Sequence, residues 1–291
     1  MSTPEETPAA GAQHSPAPTP ATPDAPAKKP SRAGRDLPAA IGSAVVLLAA
    51  IAASLYFWKP GFMLIVCAAV AVAVWELGQA FATREIKLVR DPLIVGGVVM
   101  VLAAYIWGAP ALGTATAVTV LAAMLWRLRG GVAGYVRDVT ATAFTTFYVP
   151  FLGGFVALML AEDRGELAIV VFVLVTIASD IGGYVAGVLF GKHPMAPVIS
   201  PKKSWEGFAG STVFCVVVGW LVVAYLLDGD WWVGVVLGLV AVVCESVIKR
   251  DLGIKDMSQI IPGHGGLMDR LDSLLATAAP TYLLLHYLVY F

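Results

Sequence analysis

Residues 246–272, SVIKRDLGIKDMSQIIPGHGGLMDRLD, concentrate chemistry in a sequence that is otherwise oily. Lys249, Arg250, Asp251, Lys255, Asp256, Asp269, Arg270 and Asp272 fall within them, Glu245 stands just ahead, and the flanking stretches are apolar. Asp269 and Asp272 are spaced i, i+3, so a helix that starts there projects both carboxylates from one face. Two such groups suit a hard divalent cation, above all Mg²⁺, which takes one or two carboxylates and lets substrate phosphates complete its shell. The same pair would also complement the macrodipole of a first helical turn, a purely structural role. Pro262, Gly263, His264, Gly265 and Gly266 form a glycine-rich entry whose amides can approach phosphate oxygens closely. Alone that turn says little. With Lys249, Arg250, Lys255 and Arg270 beside it, it points to a phosphorylated substrate held at a bilayer surface.

A second stretch, residues 178–207, carries Asp180 inside an apolar run, about ten residues before the following loop and so roughly 15 Å below the helix end. A carboxylate at that depth faces a polar cavity or bonds a neighbouring helix. Gly183 and Gly187 share its helix face and leave room either for close packing or for a ligand. Ser200, Lys202, Lys203 and Ser204 cluster around Pro201 in an expected turn, where ammonium groups and hydroxyls can hold phosphates or serve as ordinary basic loop residues. Glu76 and Glu245 are also intramembrane, nearer helix ends, with a structural role as credible as a functional one. The segment GVLFGKH, 187–193, fails as a phosphate-binding P-loop: three residues separate its glycines where four are needed, and His193 stands where Ser or Thr belongs.

These residues need a scaffold, and composition supplies it. Of 291 residues 58% are hydrophobic and 13% charged, with net charge −1, against about 25% charged in a soluble domain. The chain is an integral membrane protein, and its neutrality excludes a global attraction to nucleic acid. Cys67, Cys215 and Cys244 lie in apolar runs without C-x-x-C spacing, which excludes a disulfide framework or a zinc site. Residues 1–36 hold 8 of the 18 prolines and the cluster Lys28, Lys29, Arg32 and Arg35; they read as a disordered cytoplasmic tail.

Apolar runs follow at 37–58, 60–82, 92–126, 139–161, 167–191, 207–227, 231–248 and 273–291. A membrane core of about 30 Å takes roughly 20 residues, so the 35-residue run 92–126 is split near Gly108–Gly113. The expectation is an all-α protein of nine transmembrane helices, with 37–165 as an N-terminal set and 166–291 as a C-terminal catalytic region. Nine spans place 17 of the 19 Lys and Arg on the side of the basic tail, and only Lys59 and Arg164 opposite. The positive-inside rule then puts the N-terminus in the cytoplasm and the C-terminus outside.

The spacing S-x-x-K-R, K-D, P-x-H-G-G-x-x-D-R-x-D, carried by Ser246, Lys249, Arg250, Lys255, Asp256, Pro262, His264, Gly265, Gly266, Asp269, Arg270 and Asp272, resembles the signature of the phosphatidate cytidylyltransferase (CDP-diacylglycerol synthase) family. Asp180, Gly183, Tyr184, Phe190-Gly191-Lys192, Ser200-Pro201, Lys203 and Trp205-Glu206-Gly207 resemble its second block; the likeness spans roughly 176–276. It implies transfer of a cytidylyl group from CTP to phosphatidic acid at the cytoplasmic face of a cell membrane, and a homodimer. It also implies Mg²⁺, with a second, monovalent cation, on Asp269 and Asp272 joined by Asp180 or Asp256. Lys202, Lys203, Lys249, Arg250 and Arg270 would hold the triphosphate and lipid phosphate, with Ser200, Ser204, Lys255, His264, Gly265 and Gly266 as further contacts. One position departs: relatives commonly carry Gly-Asp where Ala241-Val242 stands, so a ligand role there would pass to Glu245 or Asp180.

Two alternatives define what must be excluded. Intramembrane acids also mark ion paths in secondary transporters, but those place polar residues near the midplane of two repeated halves, whereas this chain gathers them on one side of its C-terminal third. A transferase acting on another lipid phosphate is the second; the D-G-x-x-A-R motif of enzymes that consume CDP-diacylglycerol is absent.

Overall fold

The structure, a computed structural model, describes residues 37–196, 200–251 and 267–290, with side-chain surroundings at 46, 48–194, 204–243, 267–268 and 271–290. The chain falls into two units, Met1–Gly34 and Arg35–Phe291, and every element below belongs to the second. The tail expected over 1–36 lies outside the described residues.

The apolar runs fold as helices. α1 is Leu37–Phe57 and α2 is Lys59–Ala82, with Pro60 in the first turn of α2, where its missing N–H would have had no partner anyway. α3 (Arg90–Trp107) and α4 (Ala109–Leu128) divide the long run. They turn at Gly108, whose φ of 77° is open to glycine and strained for other residues. Gly113 stays inside α4. α5 (Tyr135–Thr146) continues through a π-helical turn, Phe147–Phe151, into α6 (Leu152–Ala161). Pro150 lies in that turn, where the wider ring absorbs the hydrogen bond and space that proline denies an α-helix.

α7 is Gly165–Phe190, α8 Trp205–Leu226, α9 Trp231–Asp251 and α10 Met268–Leu285, the last ending in a π-helical turn at His286–Tyr290. Between α7 and α8 the expected turn around Pro201 is instead a two-stranded antiparallel ribbon. β1 (Pro194–Ala196) pairs Pro194 with Ser204 and Ala196 with Ser200 of β2 (Ser200–Ser204). Each strand of a two-stranded ribbon is an edge, so Pro201 can sit there without breaking a ladder on both sides.

Among the described residues six helical stretches are long and apolar enough to cross a membrane: Lys59–Ala82, Arg90–Trp107, Ala109–Leu128, Tyr135–Ala161, Gly165–Phe190 and Trp205–Leu226. The protein is a polytopic, helical membrane protein. Its helices approach through small residues, as interfaces in lipid require, where dispersion between close backbones replaces a hydrophobic driving force. A Cβ on Gly210 would strike Ala186 of α7, and one on Gly219 would strike the Gly234 carbonyl of α9.

Polar contacts gather at two levels. Lys59 pairs with Glu166 at 2.6 Å, Arg164 with Asp228 at 2.9 Å and His286 with Glu162 at 2.7 Å, joining one set of helix ends. At the opposite ends Asp138 accepts the Lys87 amide at 3.0 Å and pairs with Arg127 at 2.8 Å, while Arg137 donates to the Glu85 carbonyl.

Candidate active site

The start of α10 is held from a distance. Its first amides have no intrahelical acceptor, and Leu267, at the capping position, offers no side-chain acceptor of its own. Glu76 of α2 supplies both: Oε1 accepts the Leu267 N–H at 2.9 Å and Oε2 the Met268 N–H at 2.7 Å. Glu76 is fully buried, 0% exposed, so its role is structural at least. α10 begins at Met268, which puts Asp269 in its first turn and Asp272 one turn on. The Asp272 Oδ1 accepts the Ser273 N–H at 2.7 Å and the Ser273 hydroxyl at 3.3 Å.

Two contacts set the register of α7 against α10. Glu162, just ahead of α7, meets His286 at the far end of α10, and the hydroxyls of Thr176 and Thr277 lie 3.2 Å apart. The two helices therefore run antiparallel. Asp180 stands four residues beyond Thr176, about 6 Å along the axis, and Asp272 five residues before Thr277, about 7.5 Å the same way. Asp180 and Asp272 are thus at one level on neighbouring helices. Asp180 is exposed and Asp272 partly buried.

Gly183 and Gly187 serve the contact with α8. A Cβ on Gly183 would lie 3.5 Å from Ser211 Cβ, and one on Gly187 3.8 Å from the Gly207 Cα. Ser204 caps α8, its Oγ accepting the Gly207 N–H at 3.1 Å, the usual device for a helix start. Glu206 closes the ribbon: Oε2 accepts the Lys192 and His193 amides at 3.2 and 3.3 Å, and Oε1 lies 2.6 Å from His193 Nδ1.

The other expected site residues divide by what is described. Ser200, Lys202 and Lys203 are in β2, Lys249 and Arg250 in α9, and Asp269 and Arg270 in α10, their side chains outside the described residues. Lys255, Asp256, His264, Gly265 and Gly266 lie wholly outside them. Among the described residues no group of three His, Cys, Asp or Glu side chains forms a metal cluster.

The sequence pattern of the cytidylyltransferase family matches residues 38–288. The chain belongs to the cytidylyltransferase family. It is similar to the phosphatidate cytidylyltransferase of Mycobacterium bovis, 38% identical over 97% of this chain and 95% of that one. The phosphatidate cytidylyltransferase of Mycobacterium tuberculosis strain H37Rv is also 38% identical, over 97% of this chain and 89% of its own. That of Mycobacterium leprae is 38% identical over 89% and 90%.

Ala241 and Val242, the departure noted in the sequence, are buried in the apolar core. Of two structural carboxylates, sequence reasoning left the role of Glu76 open and passed over Asp138. Glu76 was visible as a charge interrupting the run 60–82, but nothing local named its partners, 191 and 192 residues away. Asp138 gave no signal beyond its place in a basic loop, yet it is buried and organises both connections at its end of the bundle. An open pocket of about 1200 Å³ lies beside it, lined by Gln79, Lys87, Arg90, Arg129 and Arg137 among others. Much of that wall is committed to the protein itself, since Arg127 donates to Asp138, Gly131 and Ala133 and Arg137 to Glu85.

Proposed function

We propose that this chain transfers the cytidylyl group of CTP to phosphatidic acid, releasing pyrophosphate and leaving CDP-diacylglycerol in the membrane. The observation that carries the reading is Asp180 level with Asp272, at the start of a helix that also bears Asp269 and Arg270, in a member of this family with 38% identity to phosphatidate cytidylyltransferases over nearly its whole length.

An oxygen-only donor set fits Mg²⁺ better than a softer metal, and Asp269, Asp272 and Asp180 or Asp256 would hold it, with a monovalent cation beside it. When bound it offsets charge on the α-phosphate and the departing pyrophosphate. The chain's own part is to bind and orient. The lipid phosphate has a second pKa near 6, so it arrives mostly ionised and needs no covalent relay. Lys202, Lys203, Lys249, Arg250 and Arg270 bring it in line with the CTP α-phosphorus against mutual repulsion, with Ser200, Lys255, His264, Gly265 and Gly266 as further contacts. Positioning and charge neutralisation supply most of the rate. Ser204 acts through the α8 cap and the base of the ribbon.

The reading includes nine spans, a cytoplasmic N-terminus and active site, a plasma-membrane location and a homodimer. The 17-to-2 division of Lys and Arg supports the orientation, as does the grouping of Lys59 and Arg164 at one set of helix ends and of Lys87, Arg127 and Arg137 at the other.

The test is pyrophosphate release by purified protein in detergent with CTP, Mg²⁺ and phosphatidic acid, beside reactions lacking each component. Release that needs all three is expected, and Asp269→Asn should abolish it. Release without phosphatidic acid, or with another lipid phosphate in its place, overturns the substrate assignment.

A further inference from the structure

Helix starts are ordinarily capped from within their own chain segment, by Ser, Thr, Asp or Asn at the position before the first turn. α8 follows that rule through Ser204. α10 does not: its first two amides are taken by Glu76, a residue of α2 about 190 positions earlier. A local cap would fix only where the helix begins along its own chain. A cap from α2 fixes where it begins in space. Both oxygens are used, 2.9 and 2.7 Å from their donors, so the carboxylate plane sets rotation as well as height.

Burying a carboxylate this completely is costly unless it is well bonded, and the surrounding α2 residues Val74 and Leu77 are buried and apolar. The return on that arrangement lies one residue further on. Asp269 follows Met268 directly, and Asp272 is one turn along. Slipping α10 by a single residue would move each of them about 1.5 Å along the axis and turn them about 100°. A ligand set must be held to about 0.5 Å.

We propose that Glu76 is a positioning residue for the transfer reaction: it clamps the first turn of α10 onto α2, and so sets the height and rotation at which Asp269 and Asp272 meet their cation and substrate. The role rests on the reading of Asp269 and Asp272 as cation ligands. Glu76 itself touches neither substrate nor reacting atoms.

The experiment uses the full chain in detergent, with Glu76→Gln, Glu76→Asp, Asp269→Asn, Asp272→Asn and, as a core control far along the chain, Leu112→Ala. Three quantities are read: hydrogen exchange of a peptide covering residues 267–275 in the unliganded protein, Mn²⁺ affinity by electron paramagnetic resonance, and kcat with KM for CTP. In Glu76→Gln the peptide is expected to exchange at least about 10-fold faster. Mn²⁺ affinity and kcat should fall about 10- to 100-fold, as when an outer partner of a metal ligand is lost, with KM moving less. Glu76→Asp, which keeps the charge but reaches less far, should recover part of each loss. Leu112→Ala should lower Tm and leave exchange at α10 and Mn²⁺ affinity unchanged.

Unchanged Mn²⁺ affinity and exchange in a folded Glu76→Gln protein overturn the positioning role, and so does an equal loss in Leu112→Ala. If Glu76→Gln does not fold, Glu76→Asp decides by the same readouts. Asp269→Asn and Asp272→Asn that both keep Mn²⁺ affinity and turnover sink the ligand assignment, and the positioning role with it. Loss in those two beside intact affinity in Glu76→Gln overturns the positioning role alone.

Discussion

The hydroxyls of Ser179 and Ser211 lie 2.7 Å apart, and Ser211 Oγ also donates to the Ser179 carbonyl at 3.0 Å. This pair ties α8 to α7 at the residue immediately before Asp180. Ser211→Ala removes one side of the link and should cost about 1 kcal/mol of stability, the usual net value of such a bond, with turnover largely kept. Ser211→Val removes the same bonds and forces a branched side chain into a buried position, so it should cost at least as much. Thermal melts in detergent, paired with turnover at a temperature where both proteins are folded, check both statements.

The same interface predicts the effect of added bulk. A methyl group on Gly210 would run into the Ala186 Cβ and come within 2.9 Å of the Gly182 carbonyl. Overpacking of this kind costs about 1–3 kcal/mol, and α7 would yield by moving Asp180 relative to α10. Gly210→Ala should therefore lower kcat more than its loss of Tm alone explains. A kcat equal to that of the native chain at full occupancy of the folded state would contradict the account.

Arg127 and Asp138 form a buried pair, Nε and Nη2 lying 2.9 and 2.8 Å from Oδ2. Removing one partner of such a pair leaves the other without its counter-charge and costs about 3–5 kcal/mol. Asp138→Asn should lower Tm sharply and expose both connections, 83–89 and 129–134, to protease. The double variant Arg127→Met with Asp138→Leu should recover only a small part of that loss, because the Lys87 amide and the Gly131 and Ala133 carbonyls lose the partners these side chains supply. Limited proteolysis followed by mass mapping reads the local effect.

Tyr148 sits in the π-helical turn, buried, and its hydroxyl has no hydrogen-bond partner among the described residues. An unsatisfied buried hydroxyl costs about 1–3 kcal/mol, so Tyr148→Phe should be neutral or raise Tm. Turnover is expected to be unchanged. A drop of tenfold or more with Tm kept would show that the hydroxyl finds its partner only in the loaded enzyme.

What could be read along the chain was whatever depends on near neighbours. Helix ends at Phe57, Trp107 and Phe190 follow from where apolar runs stop or meet glycine, and the i, i+3 spacing of Asp269 and Asp272 survives because α10 begins at Met268. The chain misled where backbone pairing decides: Pro201 suggested a turn, and the antiparallel partner supplied by β1 made Ser200–Ser204 a strand. Gly183 and Gly187 were equally suited to a ligand or to a helix, and only the tertiary structure places Ser211 and Gly207 of α8 beside them.

By itself the sequence determined that this is a membrane-embedded helical protein, because bilayer thickness and the cost of buried charge act on each segment independently. It also determined the family, since its signature is a matter of local spacing. Only the tertiary structure decided that Glu76 reaches Leu267 and Met268, and that Thr176 against Thr277 brings Asp180 level with Asp272. Those pairings join residues that stand about ninety to 190 positions apart. They arise from the summed packing of whole helices, which no periodicity along one chain segment encodes.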